Sequence, residues 1–361
     1  MKGLFLWCAH PRRVTLGVWV VIEIDGSWGE GGGQILRASL SLATLRGVSV
    51  RIRNIRASRP NPGLAPQHLA VLKAFKEIFS GSLQGAYIGS KTVVFTPGEV
   101  RGGRYVVDIG TAGSTTLLAH ALLPALLRSE RDVQVILRGG TDTRWAPTWI
   151  HFSEVFLYTL RRAGYSVEAE VRRRGFYPRG GGEIVVSVNP PHSPRPLSMT
   201  SPGEVKEVGI YSYTQGIGRD VAKRMAHSAE EFFKGFNVRS VVEEGRGVSP
   251  GAVIDVVVET SGGCRLGSNA LGERGKPAEV VGREAAEGIM EELNPIRCAD
   301  RHLQDQLIIY MALGGGEILT GPLTSHTRTQ IWLAGKFIEG LDFKIKERGE
   351  LTLVGCVGGR M

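Results

Sequence analysis

Cysteine is scarce. The 361 residues hold four, Cys8, Cys264, Cys298 and Cys356, far apart and with no Cys-x-x-Cys pair. That spacing excludes a disulfide framework and a zinc finger and fits a reducing cytoplasm. Long apolar runs are missing too: no stretch approaches 18 uninterrupted apolar residues, so nothing is predicted to span a membrane. The short apolar run from Gly3 to Ala9 is broken by His10-Pro11-Arg12-Arg13, too short a core for a signal peptide. Residues 1–20 are therefore expected to be a poorly ordered extension, or the product of an early start codon, ahead of the first strand. Lysine is the rarer base, 11 against 33 arginines, in a chain of formal charge +9. Arginine's planar fork grips phosphate bidentately, so an anionic ligand is expected.

The standard nucleotide-binding loops are absent as well. Gly85-Ala86-Tyr87-Ile88-Gly89-Ser90-Lys91-Thr92 nearly spells a P-loop, but Ser90 stands where the second glycine belongs and a strand pattern follows where a helix is required. Gly216-Ile217-Gly218 opens a helix without the third glycine of a dinucleotide fingerprint, and reads as a helix cap.

What is present is a repeat. Glu30-Gly31-Gly32-Gly33-Gln34 leads into the apolar run Ile35–Leu45, Thr111-Ala112-Gly113-Ser114 into Thr115–Leu127, and His302-Leu303-Gln304-Asp305-Gln306 into Leu307–Leu313. Each is followed by a strand, a second helix and two strands. The second helices open near positions 65, 147 and 326, and the second interval is 97 residues longer than the first. The excess predicts an inserted domain. Proline marks its edges, in the run Asn189–Pro196 and at Asn294-Pro295. The expected architecture is α/β: three βαβαββ repeats forming a large body (21–196 and 294–361) with a smaller inserted α/β domain (197–293). Function is expected where loops of different repeats meet.

Several residues stand out on chemical grounds. A glycine run at a helix start exposes backbone N–H groups to an anion, and the Glu30 carboxylate beside it suits a divalent cation. Arg37 follows two turns on. Arg56, Arg59 and Gln67 bracket the turn Pro60-Asn61-Pro62-Gly63, a basic loop suited to a phosphate chain. His326, between Ser325 and Thr327 at a helix start, is placed either to cap that helix or to act as a nucleophile in a cleft.

These motifs together resemble a known family. Residues 24–37 (IDGSWGEGGGQILR), 56–64 (RASRPNPGL) with Gln67-His68-Leu69, Gly110-Thr111-Ala112-Gly113-Ser114, Gly139-Gly140-Thr141-Asp142, 175–182 (GFYPRGGG) and Asp305-Gln306 are similar to RNA 3′-terminal phosphate cyclases from residue 21 onward. The resemblance implies three βαβαββ repeats with an α/β insert, and an enzyme that uses ATP and a divalent cation, Mg²⁺ or Mn²⁺, to turn an RNA 3′-phosphate into a 2′,3′-cyclic phosphate. It implies a histidine nucleophile at His326, adenylylated on the ring nitrogen distant from the backbone. Glu30 then matches the metal-associated acid, and Arg37, Arg56, Arg59 and Gln67 the groups that handle ATP phosphates or the RNA end. His120, Pro147 and the stretch His302, Leu303, Gln304, Asp305 and Gln306 match the ATP site. His302 stands where bacterial members have a tyrosine, and His120 where they have a glutamine. The expected partners are ATP and RNA with a 3′-phosphate end, with the chain a monomer or a homodimer. An alternative on the same fold is a catalytically silent RNA-binding factor of ribosome assembly; such relatives lack the nucleophile that His326 supplies here.

Overall fold

The computed structural model describes residues 20–359. The expected N-terminal extension, except for its last residue, and Cys8 lie outside the described residues. The first repeat runs β1 (Val21–Asp25), α1 (Gly33–Arg46), β2 (Ser49–Arg53), α2 (Pro66–Ile78), β3 (Ser82–Gln84) and β4 (Val93–Thr96). The second runs β5 (Gly103–Asp108), α3 (Thr115–Leu126), β6 (Val133–Gly139), a π-helical stretch (His151–Phe156) continuing into α4 (Leu157–Arg162), β7 (Val167–Arg173) and β8 (Gly182–Val188). The third begins at β9 (Leu197–Met199) and is interrupted there. The interruption comprises β10 (Val205–Gln215), α5 (Arg219–Glu230), β11 (Val238–Gly245), β12 (Gly251–Thr260), β13 (Arg265–Leu271) and α6 (Ala278–Leu293). The third repeat then resumes with α7 (Leu303–Gly314), β14 (Gly316–Thr320), α8 (Ser325–Phe337), β15 (Phe343–Arg348) and β16 (Leu351–Cys356).

The three repeats share one topology. Their sheets are ordered β1-β2-β4-β3, β5-β6-β8-β7 and β9-β14-β16-β15, and in each the first two strands are parallel and the rest antiparallel. The difference from the sequence reading lies at the third copy. Leu197–Met199 falls on the insert side of the expected boundary at 196, yet it pairs in parallel with β14, so the interruption splits the third repeat after its first strand. A three-residue strand gives almost no periodic signal, and only its pairing reveals where it belongs. The short strand β13 of the insert also went unread, because its Gly267-Ser268-Asn269 is poor in strand formers.

Helices sit inside and sheets outside. α1 buries every residue from Ile35 to Leu45 except Arg37, and α3 and α7 are comparably apolar, so these helices are hydrophobic all round and form the centre of the body. Strands such as β7 alternate buried and exposed positions, with one face on the helices and one in solvent. One continuous core joins all three repeats, from Ile24 to Cys356. The interruption has a separate core, built from Val208, Ile210, Met225, Ile254, Val258 and Ile289 among others. It meets the body through both apolar and polar contacts: Val257 packs into the body's core, Arg265 pairs with Glu154 at 2.8 Å and lies over the Tyr158 ring, and Arg174 lies 4.8 Å from the Tyr213 ring. No helix of the described residues is long and apolar enough to cross a membrane.

Candidate active site

The N-terminal turns of α1, α2, α3, α7 and α8 converge on one place. The Gln34 side chain on α1 bonds to the starts of α7 and α8, the His68 ring at the start of α2 closes on Gly33, and Gln67 lies against Gly113 just ahead of α3. Each helix start leaves backbone N–H groups unpaired and carries the positive end of a helix dipole. Five together make a strongly anion-attracting surface.

His326 is on the first turn of α8. Thr324 caps that helix by accepting from the Thr327 N–H at 3.1 Å, which leaves the His326 ring free of capping duty. The ring is held by α1 instead: its Nδ1 lies 2.8 Å from Gln34 Oε1. The orientation of the Gln34 amide is fixed at its other end, where its NH₂ donates to Asp305 Oδ2 at 3.1 Å and to the His326 carbonyl at 3.3 Å. A carbonyl can only accept, so Oε1 must face the imidazole and Nδ1 must carry the hydrogen. In the neutral ring the lone pair is therefore on Nε2. That atom faces Glu30, whose Oε2 is 3.4 Å away and whose Oε1 accepts from the Ser325 hydroxyl.

Around this centre the charge is mostly positive. Arg37 is half-buried, and desolvation, only partly offset by Asp305, lowers its guanidinium pKa to about 10. Arg56 donates to the carbonyls of Asn61 and Gly63, both at 2.9 Å, and stands in the left-handed region at φ 54°. Burial and then the charge of Arg59 lower its pKa. Burial, Arg37 and Arg56 together hold the His68 imidazole down to about 3. Arg59 is exposed, with its guanidinium beside Gly32. Crowded guanidinium groups with depressed pKa values are what an anion would relieve.

On the far side burial, and then the charge of Asp300, push the Asp305 carboxyl up to about 7, against His151 and Arg37. His302 is lowered chiefly by desolvation, with Asp300 opposing and His151, Arg301 and His326 adding to the shift. His120 is driven well below its ordinary value, first by burial, then by His151 and Arg37. Its ring rests on Phe156 at 4.0 Å, and its buried Nε2 has no partner. Pro147 lies over α3, its carbonyl accepting from the Thr116 hydroxyl at 2.7 Å. Gln306 is half-buried with an unpartnered Oε1. Leu303 and Gln304 are instead fully buried beneath the site. The Gln304 amide is occupied by the Thr324 N–H, the Thr327 hydroxyl and the Pro322 carbonyl, which ties α7 to the start of α8.

Three contributors went unassigned in the sequence. Gln34 was legible as a polar residue in the first turn after the glycine run. The buried pair His151 and Asp300 was not, since the two are 149 residues apart. Asp300 accepts from the N–H groups of His302, Leu303 and Gly267, each within 2.9 Å, and from His151 Nε2 at 3.2 Å. His151 alone raises no alarm at the start of an apolar helix. Among the described residues no cluster of three or more His, Cys, Asp or Glu side chains is placed to hold a metal ion. Glu30 is a single carboxylate, which suits a magnesium-like ion that takes its other oxygens from water and phosphates.

The family model for RNA 3′-terminal phosphate cyclase matches residues 28–345, nearly the whole of the body and all of the interruption. The chain belongs to the RNA 3′-terminal phosphate cyclase family. The cyclase of Pyrococcus abyssi is 42% identical, over 92% of this chain and 99% of its own length. That of Thermococcus kodakarensis is 44% identical over 93% and 99%, and that of Methanopyrus kandleri 43% identical over 88% and 93%. The resemblance read from the glycine-rich opening and the motifs after it is thus correct at the level of the family, and so is the fold that it implied.

Proposed function

We propose that this chain is an ATP-dependent RNA 3′-terminal phosphate cyclase that works through a covalent adenylate on His326. The observation that carries the proposal is the Gln34 clamp, which holds Nδ1 and leaves Nε2 as the nucleophilic nitrogen, beside Glu30 and among the helix starts. In the first step Nε2 attacks the α-phosphorus of ATP, a P–N bond forms and pyrophosphate leaves. In the second an oxygen of the RNA 3′-phosphate displaces the imidazole, so that AMP passes to the RNA and Nε2 is restored. In the third the neighbouring 2′-hydroxyl attacks the 3′-phosphorus, the ring closes, and AMP departs as the hydroxyl proton is lost. Because ring closure is intramolecular, proximity supplies an effective molarity on the order of 10⁵ M or more, and activation is the harder part.

The residues divide that work. Arg37, Arg56, Arg59 and Gln67, with the helix starts, hold triphosphate and RNA phosphate against one another and offset their charge, which is the largest electrostatic demand of the reaction. Asp305, Gln306, His302, His120 and Pro147 form the wall against which adenosine is held. Leu303 and Gln304 support that wall from below. Glu30 would hold a divalent cation in company with the phosphates, and such a cation lowers the charge repelling an incoming nucleophile. Three described cysteines, all buried and none in a disulfide, suit a reducing cytoplasmic setting.

Incubation with α-labelled ATP and a divalent cation, without RNA, should give an acid-labile, alkali-stable protein adduct. His326→Ala should abolish it. Persistence of the adduct in that variant would overturn the assignment, and absence of any adduct from the wild-type chain would favour a silent RNA-binding relative.

A further inference from the structure

The most exposed aromatic rings of the described residues are not at the His326 centre. Trp145 is 93% exposed and Tyr177 79% exposed, and among the described residues neither stacks on another ring or under a cation. Trp145 moreover stands at φ 60°, a conformation rarely taken by a bulky residue. Singly exposed apolar side chains need no explanation. These two are on loops fastened to each other: the N–H groups of Thr141 and Asp142 donate to the Gly175 carbonyl at 2.8 and 3.2 Å, and Asp142 is gripped by Arg174 at 2.6 and 2.7 Å. Beside Tyr177, the Arg179 N–H donates to Ser249 at 3.1 Å and Gly181 packs under Val248, which brings in the loop of Arg246. Arg179 and Arg246 are both exposed and make no ion pair among the described residues.

The loops that carry this surface pack against elements of the His326 centre. Gly180 approaches the Thr111 carbonyl so closely that a β-carbon there would be 2.9 Å from it, and Gly113 of the same turn packs on Gln67. Free arginines interleaved with upright rings are the features by which single strands are held: phosphates on cations, bases stacked on aromatic faces.

We propose that the surface carrying Trp145, Tyr177, Arg179 and Arg246 is a track for single-stranded RNA, engaging the nucleotides upstream of the 3′-phosphate end while that end is at His326. The proposal rests on the cyclase reading above, and its test separates the two. Binding is measured with RNA of about ten nucleotides and with a dinucleotide, each ending in either a 3′-phosphate or a 3′-hydroxyl. The wild-type chain should prefer the longer RNA whichever end it carries. Trp145→Ala and Tyr177→Ala should each weaken the longer RNA about five- to a hundredfold and leave the dinucleotide and the ATP adduct unchanged. Trp145→Phe should restore most of the loss. Arg179→Gln and Arg246→Gln should each reduce the salt slope of binding by roughly 0.7. If cyclisation proceeds but the ring variants bind the longer RNA as the wild type does, the track is wrong and the cyclase reading stands. If no adduct forms but the rings still govern RNA affinity, the track stands and the cyclase reading is wrong. Loss of self-association in sedimentation, with RNA affinity unchanged, would make the surface a protein interface and overturn the proposal.

Discussion

In the proposed reaction Gln34 is the residue on which the chemistry of His326 turns, because a neutral imidazole has two tautomers and the amide chooses between them. Its carbonyl takes the Nδ1 hydrogen, while Asp305 and the His326 carbonyl stop the amide from flipping. Gln34→Met, which keeps length and loses every hydrogen bond, should slow adenylylation about 10- to 100-fold, the scale of a lost orienting partner at a reacting ring. Gln34→Glu retains an acceptor for Nδ1–H and should recover part of the rate. Single-turnover adduct formation measures both; equal rates for the two variants would show that Gln34 acts by packing alone. The arginines belong to the same scale. Arg37 and Arg56 were legible in the sequence as basic residues, one after the glycine run and one at the proline-rich turn, but their crowding against His68 was not.

At the scale of the element, the glycine run is where local sequence and site meet. Gly31 has φ 57°, in the left-handed region that favours glycine. Gly33 matters for another reason, since a β-carbon there would run into the His68 ring and stand 2.9 Å from an Arg37 guanidinium nitrogen. The start of α1 is thus as close as backbone can come to the charged groups around it. Gly33→Ala should raise helix propensity and still displace His68 and Arg37, so ATP turnover is expected to fall by about tenfold or more with little loss of Tm. Thermal melts alongside adduct assays decide this, and a variant of full activity would show that the approach is not needed. Stacked Trp28 and Trp332, with ring centroids 4.4 Å apart, brace the same loop against α8.

At the scale of the whole molecule, the junction between body and interruption buries charged and polar groups beside apolar ones such as Val257. Asp255 on β12 accepts from the Thr148 hydroxyl, while its Oδ2 is buried without a partner. Burial, against that hydrogen bond and with Asp142 adding to it, pushes its pKa from 3.8 up to about 7. A raised acid binds its proton more tightly in the folded state than in the unfolded one, so its contribution to stability declines as pH rises from about 4 to 7 and is lowest above that. Asp255→Asn keeps an acceptor for Thr148 and removes the titration. Relative to the wild type it should gain stability with rising pH across that window, by at most about 1.4 kcal/mol per pH unit, and then level off. Denaturant midpoints measured from pH 4 to 8 test this; parallel profiles would mean that the carboxyl titrates normally. The same junction tethers Asp300 to Gly267, so that the start of α7, with the residues proposed to hold adenosine, rests partly on the interruption. We accordingly regard the segment between β9 and α7 as a structural support for the site as well as a separate unit.

The amino-acid sequence alone determined what depends on neighbours along the chain: helix starts announced by glycine or Ser/Thr, apolar periods, the threefold order of elements, and the motifs that place the chain in its family. It could also count the extra residues of the interruption, because length survives without coordinates. Only the tertiary structure decided what depends on neighbours across it. The membership of β9 in the third sheet is a matter of hydrogen-bond pairing, the tautomer of His326 is set by a residue 292 positions away, and His151 with Asp300 becomes a buried pair only when two repeats close on each other. Periodicity reports which face of an element is apolar; it carries no record of which element that face will meet, and charge and hydrogen-bond geometry are settled at that meeting.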